Sequence, residues 1–84
     1  MNTSYLRTFI EVIDLKNISK AAEKLFITQP AVSKQLKLLE NDFGADLFRK
    51  NGREIYPTEE GRVLYKYAKS VLNEENKIYS MLKK

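Results

Sequence analysis

The sequence predicts a mainly α-helical fold: a winged helix-turn-helix of three helices and a β-hairpin wing, followed by a long dimerisation helix. Three observations predict it. Over residues 28–43, Val32, Leu36, Leu39 and Phe43 fall on one apolar stripe at helical spacing. Pro30, Ser33, Lys34 and Lys37 gather on the opposite side, with no acid among them. An Asn51-Gly52 pair stands between two short strand-like runs, 47–50 and 53–56, the strongest local signal for a two-residue hairpin. Beyond Thr58, Leu64, Val71 and Ile78 stand seven apart, with Tyr67 and Met81 on the other positions of the same heptad pattern, the spacing of a helix that pairs along a seam.

The elements follow in order. Asn2 caps a first helix in which Leu6, Phe9, Ile10 and Ile13 recur at helical spacing, ending near 14–17. This helix reads as scaffold. Residues 18–25 form a short helix with Ala22 and Leu25 turned inward, and Ala21-Ala22 lets another helix approach closely. Residues 26–29 break the pattern. Pro30 disfavours helical dihedrals at Gln29 and suits the first helical position itself, so the third helix starts at Gln29 or Pro30, capped by Thr28 or Gln29. Gly44 ends it. A short helix, a tight turn and a longer helix make a helix-turn-helix over about 18–37.

The wing lies at about 47–56, with Arg49, Lys50 and Arg53 crowding its tip. After Pro57, Thr58 caps a last helix with Glu59 and Glu60 in its first turn, where acids suit the positive end of the helix dipole. That helix is read to residue 84, roughly 40 Å at the α-helical rise, longer than so small a domain covers. Its seam is interrupted by Glu74 and flanked by Leu72, Tyr79 and Leu82. Leu64, Tyr67, Val71 and Ile78 either fold back over the same chain or pair with a second copy; helix length favours the second. The chain thus divides into a winged helix-turn-helix over 1–58 and a linker or dimerisation helix over 59–84. No internal repeat or low-complexity tract is present.

Composition narrows the function. Eighty-four residues make one small domain, near the lower limit of what a single core holds together unaided. The 15 Lys and Arg against 11 Asp and Glu give +4, which permits a polyanionic partner without proving one. Placement says more. Lys20, Lys24, Lys34, Lys37, Arg49, Lys50 and Arg53 occupy the middle of the chain, whereas Glu59, Glu60, Glu74 and Glu75 lie beyond. With no cysteine and no histidine, disulfides, thiolate nucleophiles, imidazole bases and the ordinary zinc ligands are all missing. Neither enzyme chemistry, nor a metal, nor a cofactor is expected, and capping accounts for Glu59 and Glu60. The first residues show no basic region leading into an apolar core, and no run reaches membrane-spanning length. The expected location is the cytoplasm, at the nucleoid.

Lys34 and Lys37 taken alone read equally well as solvated surface charges; the lack of acid beside them points to DNA. Gln29 and Ser33 are common in first turns, but a glutamine also makes paired hydrogen bonds to adenine. Arg53, beside Asn51-Gly52 at a basic tip, suits a phosphate or the minor groove. Val32, Leu36, Leu39 and Phe43 are assigned to the core.

These elements together resemble the amino-terminal DNA-binding domain of the LysR-type regulators of bacterial transcription. The resemblance rests on Leu6-Arg7-Thr8-Phe9, on Ser19 with Ala21-Ala22-Glu23-Lys24-Leu25, and on Thr28-Gln29-Pro30-Ala31-Val32-Ser33. It continues through Leu38-Leu39-Glu40, Phe43-Gly44, Leu47-Phe48-Arg49 and Pro57-Thr58-Glu59-Glu60-Gly61. Each run is weak alone; their order and spacing are specific. The resemblance implies promoter DNA as partner, a homodimer or, in the full-length protein, a tetramer, and a larger carboxy-terminal effector-binding domain absent from these residues. It places base contacts at Gln29, Pro30, Ser33 and Lys34, a wing contact at Arg53, and Thr28, Lys37 and Arg49 on or near phosphates. The alternative use of such a fold is binding another protein. Three departures stand out: Lys34 where the family commonly has Arg, Lys16-Asn17-Ile18 in place of a Gly-Ser-Phe type of turn, and Tyr56-Pro57 before Thr58. A lysine lacks the planar two-pronged contact that arginine makes with guanine, so base preference at Lys34 is expected to be softer.

Overall fold

The computed structural model describes residues 2–83, so the last position assigned to the final helix, Lys84, lies outside the described residues, as does Met1. Along the chain run α1 (Thr3–Leu15), α2 (Ile18–Leu25), α3 (Gln29–Phe43), β1 (Phe48–Asn51), β2 (Glu54–Pro57) and α4 (Glu59–Leu82). Local chemistry sets most of these ends. Asn2 Oδ1 accepts the Ser4 N–H at 2.9 Å and starts α1. Lys16 then takes a left-handed conformation (φ 56°) and Asn17 Oδ1 accepts the Lys20 N–H at 2.8 Å, so two residues stop one helix and cap the next. The Lys16 carbonyl also accepts the Ile55 N–H at 3.1 Å, which fastens β2 to this corner. Lys16-Asn17 therefore makes a tight turn between α1 and α2.

The core gathers Leu6, Phe9 and Val12 of α1, Ala21 and Ala22 of α2, Val32, Leu36 and Leu39 of α3, Leu47, Ile55 of the wing, and Leu64 and Ala68 of α4. Alanines at 21 and 22 let α2 sit close to its neighbours. Two core assignments need correction. Leu25 is only half-buried, its inward place taken by Ala21. Phe43 is 45 % exposed: it is the last residue of α3 and lines a shallow apolar hollow with Ala45, Leu47, Val63, Leu64 and Tyr67. The buried hydroxyl of Thr8 donates to Gln35 Oε1 at 2.6 Å and so joins α1 to α3 without an unpaired polar group.

The hairpin forms one residue later than its Asn-Gly pair suggests. Phe48 faces Pro57, Lys50 faces Ile55 and Asn51 faces Glu54, leaving Gly52-Arg53 as the two-residue turn, with Gly52 at φ +64°. A glycine with positive φ at the first turn position is the pattern of a type II′ turn. The base of the hairpin explains the shift. Thr58 N–H donates to the Leu47 carbonyl at 3.2 Å and Ile55 N–H to that of Lys16, and a slip of one residue would turn Ile55 out of the core.

Thr58 is a joint. Its hydroxyl accepts the Gly61 N–H at 2.9 Å, capping α4, and donates to the Asp46 carbonyl at 2.6 Å. From there α4 runs antiparallel to α1. Tyr65 donates to Asp14 near the end of α1 at 2.6 Å, and Glu75 meets Thr3 at 3.2 Å and Arg7 at 3.8 Å near its start. Leu64 and Ala68 are buried in the chain's own core, and Val71 and Leu72 are partly covered by it. Leu64 is therefore removed from the expected intermolecular seam, and the boundary drawn after residue 58 separates elements rather than packing units. Periodicity marks a buried face without saying which molecule buries it.

Candidate nucleic-acid interface

The start of α3 is shaped by two residues. Thr28 adopts extended backbone and its hydroxyl accepts the Ala31 N–H at 3.2 Å, while Pro30 sits in the first turn, where no N–H is required. This fixes the rotation of the helix. Val32, Leu36 and Leu39 point into the core, and Thr28, Gln29, Pro30, Ser33, Lys34 and Lys37 are all exposed on the other side. Glu40 stands seven residues past Ser33 on that side, a carboxylate in line with the polar flank. It is turned aside: Glu40 Oε2 accepts the Leu47 N–H at 2.9 Å and ties the start of the wing to α3.

Arg49 and Arg53 are exposed on the wing, Arg49 on β1 and Arg53 within the turn itself. Among the described residues the ion pairs are Arg7–Glu75, Lys24–Glu11 and Lys77–Glu74. None draws on Lys34, Lys37, Arg49 or Arg53, so four cations face solvent with their charge uncommitted. A cleft of about 570 Å³ separates the start of α2 from the wing tip, with Asn17, Ser19, Lys20, Gln29, Lys50 and Arg53 among its lining residues. The structure thus brings Gln29, at the start of α3, to the same cleft as Lys20, Glu23, Lys50 and Arg53; Ser33, Lys34, Lys37 and Arg49 are exposed but do not line it.

Sequence reasoning missed three features of this surface. Ser19 Oγ accepts the Gln29 Nε2–H at 3.1 Å across the two helices, a tertiary contact with no local signal. Lys20 and Lys50 line the cleft; both belong to the central basic stretch, which is the signal that marks them. Phe26, in the turn between α2 and α3, is 94 % exposed and left-handed (φ 57°). Its N–H donates to the Glu23 carbonyl at 3.2 Å and that of Ile27 to Ala22 at 3.1 Å, closing α2.

Elsewhere, Tyr65 has its phenol pKa raised above the usual value by its hydrogen bond to Asp14, then by burial and nearby carboxylates. Tyr56 is raised in the same way by Glu54, and its ring lies 5.8 Å from the Lys16 ammonium. Among the described residues there is no grouping of acidic side chains able to hold a metal ion, and no helix long and apolar enough to cross a membrane.

A helix-turn-helix with a polar, basic flank on its second helix and a cationic hairpin wing beside it defines a domain of the winged helix-turn-helix class. A family model described as the bacterial regulatory helix-turn-helix protein, lysR family, matches residues 3–62. The chain belongs to that family. It is 36 % identical over 84 residues to the HTH-type transcriptional regulator BenM of Acinetobacter baylyi, covering all of this chain and 28 % of that protein. It is also 36 % identical over 74 residues to the nitrogen assimilation regulatory protein nac of Klebsiella aerogenes, covering 88 % of this chain and 24 % of the relative. The chain therefore spans about a quarter of the length of these curated relatives. Among solved structures, the BenM DBD in complex with catB site 1 DNA superposes with a TM-score of 0.93 at 36 % identity, covering 99 % of this chain and 92 % of that one. The CbnR DBD–DNA complex gives a TM-score of 0.93 at 28 % identity, covering 99 % and 95 %.

Proposed function

We propose that this domain binds promoter DNA in a sequence-specific manner, as a homodimer, and acts in transcriptional control in the cytoplasm. The observation that carries this is the exposed flank of α3, where Gln29, Pro30, Ser33, Lys34 and Lys37 lie on the side opposite Val32, Leu36 and Leu39, with neither lysine in an ion pair among the described residues. A helix fits the major groove, where base edges present distinguishable donors and acceptors. Gln29, Pro30, Ser33 and Lys34 meet base edges; Thr28, Lys37 and Arg49 meet phosphates; and Arg53 reaches the backbone or minor groove from the wing turn. The relatives solved as DNA complexes support this use of the fold.

Dimerisation follows from what α4 leaves bare. Tyr67 and Ile78 are exposed, Val71 is partly so, and Met81 and Leu82 extend the same stripe. A second copy covers that stripe and sets the distance between two half-sites. The family resemblance extends, for a full-length protein, to an effector-binding domain and to a tetramer as the alternative to the homodimer.

A mobility-shift titration against random duplex and against sites selected from a random pool tests the reading. Binding that weakens steeply with salt and favours selected sites supports it. Absence of binding at low salt contradicts it.

A further inference from the structure

We infer that Ser19 is a positioning residue for base readout: it orients the Gln29 carboxamide so that this side chain prefers adenine over guanine. The inference rests on the reading above that Gln29 meets a base edge. Ser19 is the second residue of α2 and Gln29 the first of α3, so the crossing of the two helices sets their distance. Gln29 Nε2 lies 3.1 Å from Ser19 Oγ and donates to it.

That bond decides what the carboxamide has left to offer. A glutamine side chain carries two N–H donors on one nitrogen and one carbonyl acceptor. With one N–H held by Ser19, the outward group keeps one donor and one acceptor, the complement of adenine, which presents N7 as acceptor and N6–H as donor. Guanine presents two acceptors, O6 and N7. To serve both, an amide needs its two donors, and one is already committed. Without Ser19 the carboxamide turns freely about its last bond and either end can face the groove. In the observed orientation, with Nε2 held by Ser19 Oγ, the carboxamide faces outward with one donor and its acceptor. Gln29 is exposed and Ser19 half-buried, so removing the hydroxyl leaves the core untouched.

The test uses the 84-residue chain and variants S19A, S19T, Q29A and the S19A/Q29A pair. Each is titrated against the duplex selected by the native chain and against versions with adenine replaced by guanine at the position whose preference Q29A abolishes. Thermal melting of each variant confirms folding. The expected result is an adenine preference in the native chain that S19A reduces about two- to tenfold, the range of one hydrogen bond's net worth, that S19T retains, and that S19A does not change further once Gln29 is gone. A native preference for guanine at that position overturns the inference. So does an S19A variant that keeps the preference Q29A loses, which leaves Gln29 as a reader but Ser19 without a part in it. An S19A loss equal on selected and random duplex also overturns it, as the mark of a plain phosphate contact. If Q29A changes preference nowhere, the base-reading assignment of Gln29 falls, and this inference with it.

Discussion

Gly61 and Leu47 touch backbone to backbone. A Cβ at residue 61 would overlap the Leu47 carbonyl oxygen and stand 3.0 Å from its carbon and 3.2 Å from Pro57 Cβ. Because that carbonyl also accepts the Thr58 N–H at 3.2 Å, it has little freedom to move. The first turn of α4 is therefore pressed onto Leu47, the residue that leads into β1.

Replacing Gly61 by alanine is expected to cost about 3 kcal/mol, at the upper end of overpacking effects, although alanine is the better helix former. Urea unfolding of the G61A chain checks this. A variant as stable as the native chain would mean the wing base yields.

Phe26 offers the opposite case. A bulky residue held at φ 57° is strained relative to one that tolerates the left-handed region. With 94 % of it exposed, little packing is lost on removal. Phe26→Asn should raise stability by about 1 kcal/mol, seen as a melting temperature higher by roughly 4–8 °C for a domain of this size.

Two positions on α4 separate folding from association. Ile78→Glu should leave the fold intact and halve the mass measured by sedimentation, because Ile78 is exposed. Leu64→Ala should instead destabilise the protomer by about 2–5 kcal/mol, since Leu64 lies in its core. A sedimentation profile unchanged by I78E would remove the seam from the account.

Tyr65 gives a pH prediction. Its pKa is raised in the folded chain by the bond to Asp14, so the folded state holds the phenol proton more tightly than the unfolded one. The stabilisation is full below the ordinary tyrosine range, about pH 10, and is lost as pH rises through the folded value. Melting temperature followed through this alkaline range should fall less steeply for Y65F than for the native chain.

Much of the fold is legible in the sequence because its signals are local. The caps at Asn2, Thr28, Gly44 and Thr58 act within four residues of themselves, and the flank of α3 follows from helical period alone. What escapes depends on distant partners. The hairpin register is set by Lys16 and Thr58 rather than by Asn51-Gly52. Leu64 and Phe43 carry the right period, yet one is buried by its own chain and the other, at the end of α3, is 45 % exposed. The Ser19–Gln29 bond joins two helices and leaves no trace in either. At the site, the exposed residues are readable and their mutual arrangement is not.

The most direct measurement of the central claim is the amide NMR spectrum of the labelled chain as a selected DNA duplex is added. The largest shifts are expected on residues 28–37 of α3, on the start of α2, and on residues 49–53 of the wing. Shifts confined to α4, or a spectrum unchanged at saturating duplex and low salt, would contradict that claim.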